Sequence, residues 1–155
     1  MFEEKIIKKI NEFNFDLLNK KIVFTNGCFD IIHPGHLNYL YKSSLEGELL
    51  IVGLNSDSSV KLNKGDNRPI NSSEQRSAVL SFFNFIDYII IFEEETPLNL
   101  IKKINPDILV KGSDYALEDI VGANHVINNG GSVKTLDFID GFSSSGIIKK
   151  INNNK

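Results

Sequence analysis

The run Leu49-Leu50-Ile51-Val52-Gly53-Leu54 most restricts what this chain can become. A strand with one wet face alternates apolar and polar residues, whereas a run that is apolar at consecutive positions belongs to a strand covered on both faces, as in a parallel sheet between helices. Shorter apolar runs place strands at residues 21–26, Tyr88–Phe92 and residues 107–110, and Ser132–Leu136, after the Gly130-Gly131 break, reads as a short fifth strand. The segments between them carry apolar residues at spacings of three and four, which predicts helices over 35–46, 73–83, from Pro97 to near Lys103, 118–128 and 147–151. Ser72 with Gln75 forms a capping box for the second of these, Thr96 a cap for the third, and Gly47 and Gly130-Gly131 are stops. Strands alternating with helices give an α/β class, a doubly wound five-stranded parallel sheet.

Residues 2–18 place Phe2, Ile6, Ile7, Ile10, Phe13 and Leu17 at mostly helical spacings, so an N-terminal amphipathic helix over 1–18 is expected beside a core over 21–151. With 155 residues and 41% hydrophobic content, one domain over 1–155 is expected. A formal net charge of −3 without a long Lys/Arg run argues against nucleic acid as the main partner and for small molecules. The single cysteine, Cys28, fits a reducing compartment. The charged start lacks a signal-peptide core, and no run approaches the ~18 apolar residues of a membrane span. The chain is therefore expected in the cytoplasm, with no membrane partner.

Polar stretches fall at the carboxyl ends of strands, where an open parallel sheet binds ligands. Thr25-Asn26-Gly27-Cys28-Phe29-Asp30 leads into His33-Pro34-Gly35-His36 at a helix start, a setting that gathers backbone N–H groups and the helix dipole around an anion. Asn55-Ser56-Asp57 ends the next strand. Residues 58–71, with Lys61, Lys64 and Arg68, are expected as a mobile, phosphate-facing loop. Arg76 lies in the first turn of a helix, where the dipole disfavours a cation, which invites a bound anion as the reason. Lys111-Gly112-Ser113-Asp114 follows a strand, and Ser143-Ser144-Ser145 precedes a helix that it can cap or arm for phosphate.

His33-Pro34-Gly35-His36, set after a strand and Gly27-Cys28-Phe29-Asp30, resembles the His-x-Gly-His signature of the nucleotidyltransferase superfamily that includes the cytidylyltransferases. Ser143-Ser144-Ser145 resembles the superfamily's second signature, a Ser/Thr run at a helix start. Two signatures at opposite ends of one domain, each in its strand–loop–helix setting, speak against coincidence. Within that superfamily, residues 24–30, 52–57, Arg68-Pro69-Ile70, Asp87-Tyr88, Thr96-Pro97 and 110–115 together resemble the adenylyltransferases of ADP-heptose synthesis. The likeness runs from about Lys21 to Ile151. Glycerol-3-phosphate cytidylyltransferases carry an arginine shortly before the serine run, where this chain has Phe138. Gly146 directly after the serines departs from a good helix start, by up to ~1 kcal/mol relative to alanine.

The resemblance implies a Rossmann-like nucleotidyltransferase fold and transfer of AMP from ATP to a sugar 1-phosphate, most closely D-glycero-β-D-manno-heptose 1-phosphate, with Mg²⁺. It further implies a homodimer, and a separate sugar kinase upstream, because many relatives of this kind carry a kinase half for which 155 residues leave no room. His33, His36 and Arg76 would be the catalytic donors. Thr25, Asn26, Gly27, Cys28, Phe29, Gly35, Lys64, Lys111, Gly112, Asp114, Ser143, Ser144 and Ser145 would hold the nucleotide, and Asn55, Asp57 and Arg68 the acceptor, with no metal-ligating residue. The base would be read by backbone groups near 139–142. Several of these residues have a plainer reading: packing for Cys28 and Phe29, solvation for Lys61 and Lys64, a strand end for Asp57, a turn for 111–114. Asp30 would orient its loop or lie near Mg²⁺, and the two histidines alone would also suit a zinc site, for which His125 is the remaining histidine.

Alternatives within the superfamily are cytidylyl transfer to glycerol 3-phosphate or a related phosphorylated alcohol, and adenylyl transfer to FMN. Outside enzymes, the alternative is a nucleotide-binding regulator that lost catalysis, against which both histidines and the serine run stand together.

Overall fold

The computed structural model describes residues 3–7, 10, 19–137, 139 and 141–153. Within them the chain forms six strands, β1 (Ile6–Ile7), β2 (Ile22–Gly27), β3 (Leu49–Asn55), β4 (Tyr88–Phe92), β5 (Ile108–Gly112) and β6 (Ser132–Leu136). Around them lie α1 (Pro34–Ser44), α2 (Asp57–Lys64), α3 (Ser73–Ser81), α4 (Leu98–Ile104), α5 (Ala123–Asn128) and α6 (Ser144–Asn153). The sheet has the order β1-β4-β3-β2-β5-β6, and every pairing is parallel.

β3 is buried at all its positions, as its unbroken apolar run requires. Alternate residues feed two cores: Phe24, Ile51, Ile90 and Leu109 pack with α4 and α5 on one face. Val23, Leu50, Val52 and Val110 pack with Tyr39, Leu40 and Leu80 of α1 and α3 on the other.

Six strands replace the expected five. The extra one is β1, where Ile6 and Ile7 pair with Ile89 and Ile90 at the open edge of β4. Two adjacent β-branched residues suit a pleated strand, and Ile7 and Ile6 each add to a different core, so the edge overrides the helical spacing. Residues 3–5 form a 3-10 turn. The rest of the expected N-terminal helix lies outside the described residues, apart from Ile10, which packs on the first core.

Residues 57–64 are the helix α2 rather than a loop. Its apolar content is low because it buries little besides Ser59 and Val60, and its start is fixed by Ser56 Oγ, which accepts from Ser59 N–H. The helix expected over 118–128 is split: 117–119 is a 3-10 turn, and α5 begins only after Gly122 at φ 87°. A Cβ there would come within 2.7 Å of Ile101 Cδ1, so the chain passes α4 where only glycine fits.

The chain winds outward from β2 through β3 to β4, then returns to place β5 and β6 on the other side of β2. The switch point therefore lies between β2 and β5. Their pairing ends at Phe24 with Leu109, whereas β2 stays paired with β3 as far as Gly27. The carboxyl halves of β2 and β5 thus part, and a crevice opens where a ligand is expected in a sheet of this kind.

Candidate active site

A cleft of about 530 Å³ occupies that crevice. Tyr39 of α1 fills its floor: the hydroxyl bonds Thr25 Oγ1 at 2.7 Å and donates to the Val110 carbonyl at 3.2 Å, one contact on each parting strand. Burial pushes its phenol pKa up, so the bridge stays protonated.

One wall is the loop after β2. Phe29 at φ 47° and Ile31 at φ 55° hold left-handed conformations that non-glycine residues rarely adopt, at a cost of about 1–3 kcal/mol each. Neighbouring bonds fix them. The Asp30 carboxylate accepts from Ile70 N–H at 2.7 Å, Asn71 N–H at 3.0 Å and Arg68 Nε at 3.2 Å. Burial alone would raise the carboxyl pKa, but these donors together hold it below the usual carboxylate value. The buried Arg76 guanidinium donates to the Cys28 carbonyl at 2.6 Å, the Asn71 carbonyl at 3.0 Å and Asp57 Oδ1 at 2.8 Å.

The loop delivers the two histidines. His33 is the N-cap of α1, its Nδ1 accepting from His36 N–H at 3.3 Å, which leaves the ring proton on Nε2. The two rings stack at 3.8 Å, and the Phe29 ring meets His36 edge-on at 5.5 Å. Gly35 permits this stack, since a Cβ would lie 3.1 Å from the His33 ring and 3.3 Å from Phe142 Cβ. Burial pulls the pKa of His36 down to about 4, with the His33 and Lys64 charges adding and Asp30 opposing. Burial lowers His33 too. Both rings are neutral at pH 7, where each offers one N–H, and His36 Nδ1 has no hydrogen-bond partner among the described residues.

The start of α6 lies against the same loop. Ser144 Oγ donates to the Asp30 carbonyl at 2.5 Å and lies 3.3 Å from that of Ile31, while the Phe142 ring sits 6.3 Å from that of His33. Ser143 Oγ accepts from Gly146 N–H at 2.9 Å. A Cβ on residue 146 would come within 2.9 Å of that hydroxyl, so Gly146 leaves room for the cap.

The opposite wall follows β5. Lys111, Gly112, Asp114 and Tyr115 line it, with Asp119 and Ile120 beyond. Burial pulls the Lys111 pKa down to about 8 against Asp114 and Cys28, which favour its charge. Its Nζ stands 5.4 Å from the centre of the Tyr115 ring. Asn55, Asn63, Lys64 and Glu95 close the side next to β3.

Of the residues expected at a site, Asn26, Gly27, Cys28, Phe29, His36, Asn55, Lys64, Arg68, Lys111, Gly112, Asp114 and Ser144 line one cleft. His33 and Gly35 stand immediately behind it, and Ser143 and Ser145 are exposed at the start of α6. Three expected residues face elsewhere. Thr25 is fully buried with its hydroxyl on Tyr39, Arg76 braces three protein oxygens, and Asp57 is the brace's carboxylate, also accepting from Ser73 N–H at 2.6 Å. For Asp30 the loop-orienting reading matches the observed bonds. Phe138 lies outside the described residues. The sequence reading missed Tyr39, Asn63 and Asn71; the first carries no motif within its helix, and the other two lay in a segment taken for a mobile loop.

The sequence pattern of the cytidylyltransferase-like family matches residues 24–150. The bifunctional protein HldE of Campylobacter concisus is 51% identical over 156 residues, covering 99% of this chain and 32% of that protein. Its counterpart in Campylobacter jejuni is 56% identical over 137 residues, 88% of this chain and 29% of that one. The chain thus spans about a third of the length of the curated relatives it matches. Among solved structures, a lipopolysaccharide core biosynthesis protein from Thermoplasma volcanium superposes with a TM-score of 0.63 at 27% identity, over 78% of this chain and 98% of that one.

Proposed function

The chain belongs to the cytidylyltransferase-like family, and we propose that it transfers AMP from ATP to D-glycero-β-D-manno-heptose 1-phosphate, releasing pyrophosphate and ADP-heptose. One observation carries the reading. His33 and His36 stand together with the start of α6 around one strained loop, although 114 residues separate Asp30 from Ser144. The likeness to HldE proteins, and to a protein of lipopolysaccharide core biosynthesis, favours a sugar nucleotide as the product.

The acceptor is already an anion near neutral pH, so no protein nucleophile or base is needed. The task is to align two anions and to stabilise charge gathering at the α-phosphorus and the departing pyrophosphate. Neutral imidazoles suit this, because Nε2–H of His33 and the His36 N–H donate without giving up a proton. The first N–H groups of α6 lack partners within the helix and point the positive end of its dipole at the β- and γ-phosphates. Lys64, at the end of α2, supplies positive charge. Asn55 and Arg68, which line the same cleft, are the candidates for the acceptor's hydroxyls.

Mg²⁺ would enter on the nucleotide's own phosphates. Among the described residues no group of three His, Cys, Asp or Glu forms a cage, and the Asp30 carboxylate is already taken by four donors. A homodimer, a cytoplasmic setting and a separate kinase supplying the sugar 1-phosphate complete the reading. The described helices include none long and apolar enough to cross a membrane.

The test is pyrophosphate release from purified protein given heptose 1-phosphate with ATP or with CTP. Release with ATP is expected. Turnover with CTP alone would remove the adenylyl assignment, and calorimetric ATP binding without turnover on any phosphorylated sugar would favour a regulator.

A further inference from the structure

Lys111 is the one cation on the β5 wall, half-buried, facing the cleft. Among the described residues its ammonium has neither a hydrogen bond nor an ion pair within 4 Å; the Tyr115 ring stands 5.4 Å away and the Asp114 carboxylate favours its charge from farther off. Taking an ammonium out of water without a partner is unfavourable, and an anion in the cleft would offset that loss. Adenine and ribose carry no anionic group. The candidates are therefore the triphosphate and the acceptor's phosphate.

Their places are separable. The groups for the departing pyrophosphate, His33, His36 and the start of α6, gather at the far end of the strained loop. In-line displacement brings the attacking oxygen from the side of the α-phosphorus opposite the leaving group. Lys111 belongs to the wall after β5, across the cleft from the loop after β2 that carries those groups. Lys111 thus stands on the entering side. The carboxylates of the same wall, Asp114 and Asp119, would repel a second phosphate but accept hydrogen bonds from hydroxyls.

We propose that Lys111 binds the phosphate of the acceptor and restricts acceptors to polyhydroxylated compounds bearing a single phosphate. The proposal rests on the sugar 1-phosphate reading above.

Lys111→Met and Lys111→Arg are compared with the unaltered chain in two measurements. In the first, pyrophosphate release is followed while heptose 1-phosphate is varied at saturating ATP, and ATP binding alone is measured by calorimetry. The methionine variant should raise the acceptor KM by roughly ten- to a hundredfold, the effect of losing one hydrogen bond to a charged group, with ATP binding within about twofold. The arginine variant should recover most of that loss, which separates charge from folding. In the second, inorganic phosphate is titrated against protein saturated with a non-hydrolysable ATP analogue, and Lys111→Met should abolish its binding. Weakened ATP binding with an unchanged acceptor KM would overturn the proposal, as would phosphate binding that survives in the methionine variant. If the unaltered chain turns over no sugar 1-phosphate, the functional reading falls, and the phosphate titration alone decides the role of Lys111.

Discussion

The loop after β2 and the loop after β5 face each other across the cleft, yet they are held by different means. In the first, two left-handed residues are pinned by the Asp30 carboxylate, by Arg76 on the Cys28 carbonyl and by Ser144 on the Asp30 carbonyl. In the second, the described backbone contacts are few: Ser113 N–H to the Leu136 carbonyl and Tyr115 N–H to that of Gly112. Asp114 and Tyr115 are exposed. A polyphosphate has the same shape in every reaction of its kind, so a rigid receptor for it loses nothing. On the reading proposed above, the pinned wall takes the polyphosphate and the wall left to side chains takes the acceptor.

If that contrast is sound, damage to the two walls should register differently. The largest effect is expected from Asp30→Ala, which strands the half-buried Arg68 and two backbone N–H groups. A loss of about 3–5 kcal/mol in urea unfolding is expected, the cost of breaking a buried pair. A loss near zero would mean that the first loop is not locked as described. His36→Ala should leave the unfolding midpoint nearly unchanged while lowering kcat by roughly a hundred- to a thousandfold, the range for removing one transition-state donor. Equal losses in kcat and stability would turn His36 into a brace.

Ser144→Ala removes one hydrogen bond between α6 and the loop. It should cost about 1 kcal/mol of stability and weaken ATP binding several-fold, without altering the acceptor KM. Asp114→Asn should do the reverse on the other wall, changing the acceptor KM a few-fold with no measurable change in unfolding. The smallest effect is set by pH. His36 has a folded pKa near 4 against an ordinary 6.5, so the folded chain binds fewer protons in that interval. Stability should therefore be intact above pH 6.5 and decline as pH falls toward 4, and His36→Gln should flatten that part of the curve.

The contrast also marks what the sequence made legible. Continuous apolar runs identify β3 and β4 because burial on both faces leaves no polar alternative. The histidines and serines announce themselves because their chemistry sits in short local patterns. Contacts distant in the chain leave no such trace. Arg76 at a helix start looked like an anion clamp, and only the fold reveals three protein oxygens around it. Phe29 and Ile31 give no hint of positive φ, since the bonds that impose it come from residues 70, 71 and 144. α2 stayed hidden because it buries too little to show a period, and β1 because its partner edge lies 83 residues away in sequence, at Ile89.

The bond from Ser144 to the Asp30 carbonyl also has a consequence in time. During synthesis the sheet from β2 to β5 can assemble as the chain emerges, with the bonds from residues 68–76 already on the first loop, but the tie from Ser144 to the Asp30 carbonyl must wait for α6. A ribosome stalled before that residue would display a folded sheet whose first loop lacks its tie to α6. One that had passed it, with α6 clear of the exit tunnel, would display a competent site. Nucleotide binding by nascent chains of graded length should therefore switch on late and abruptly, as a clock that reads the last contact made.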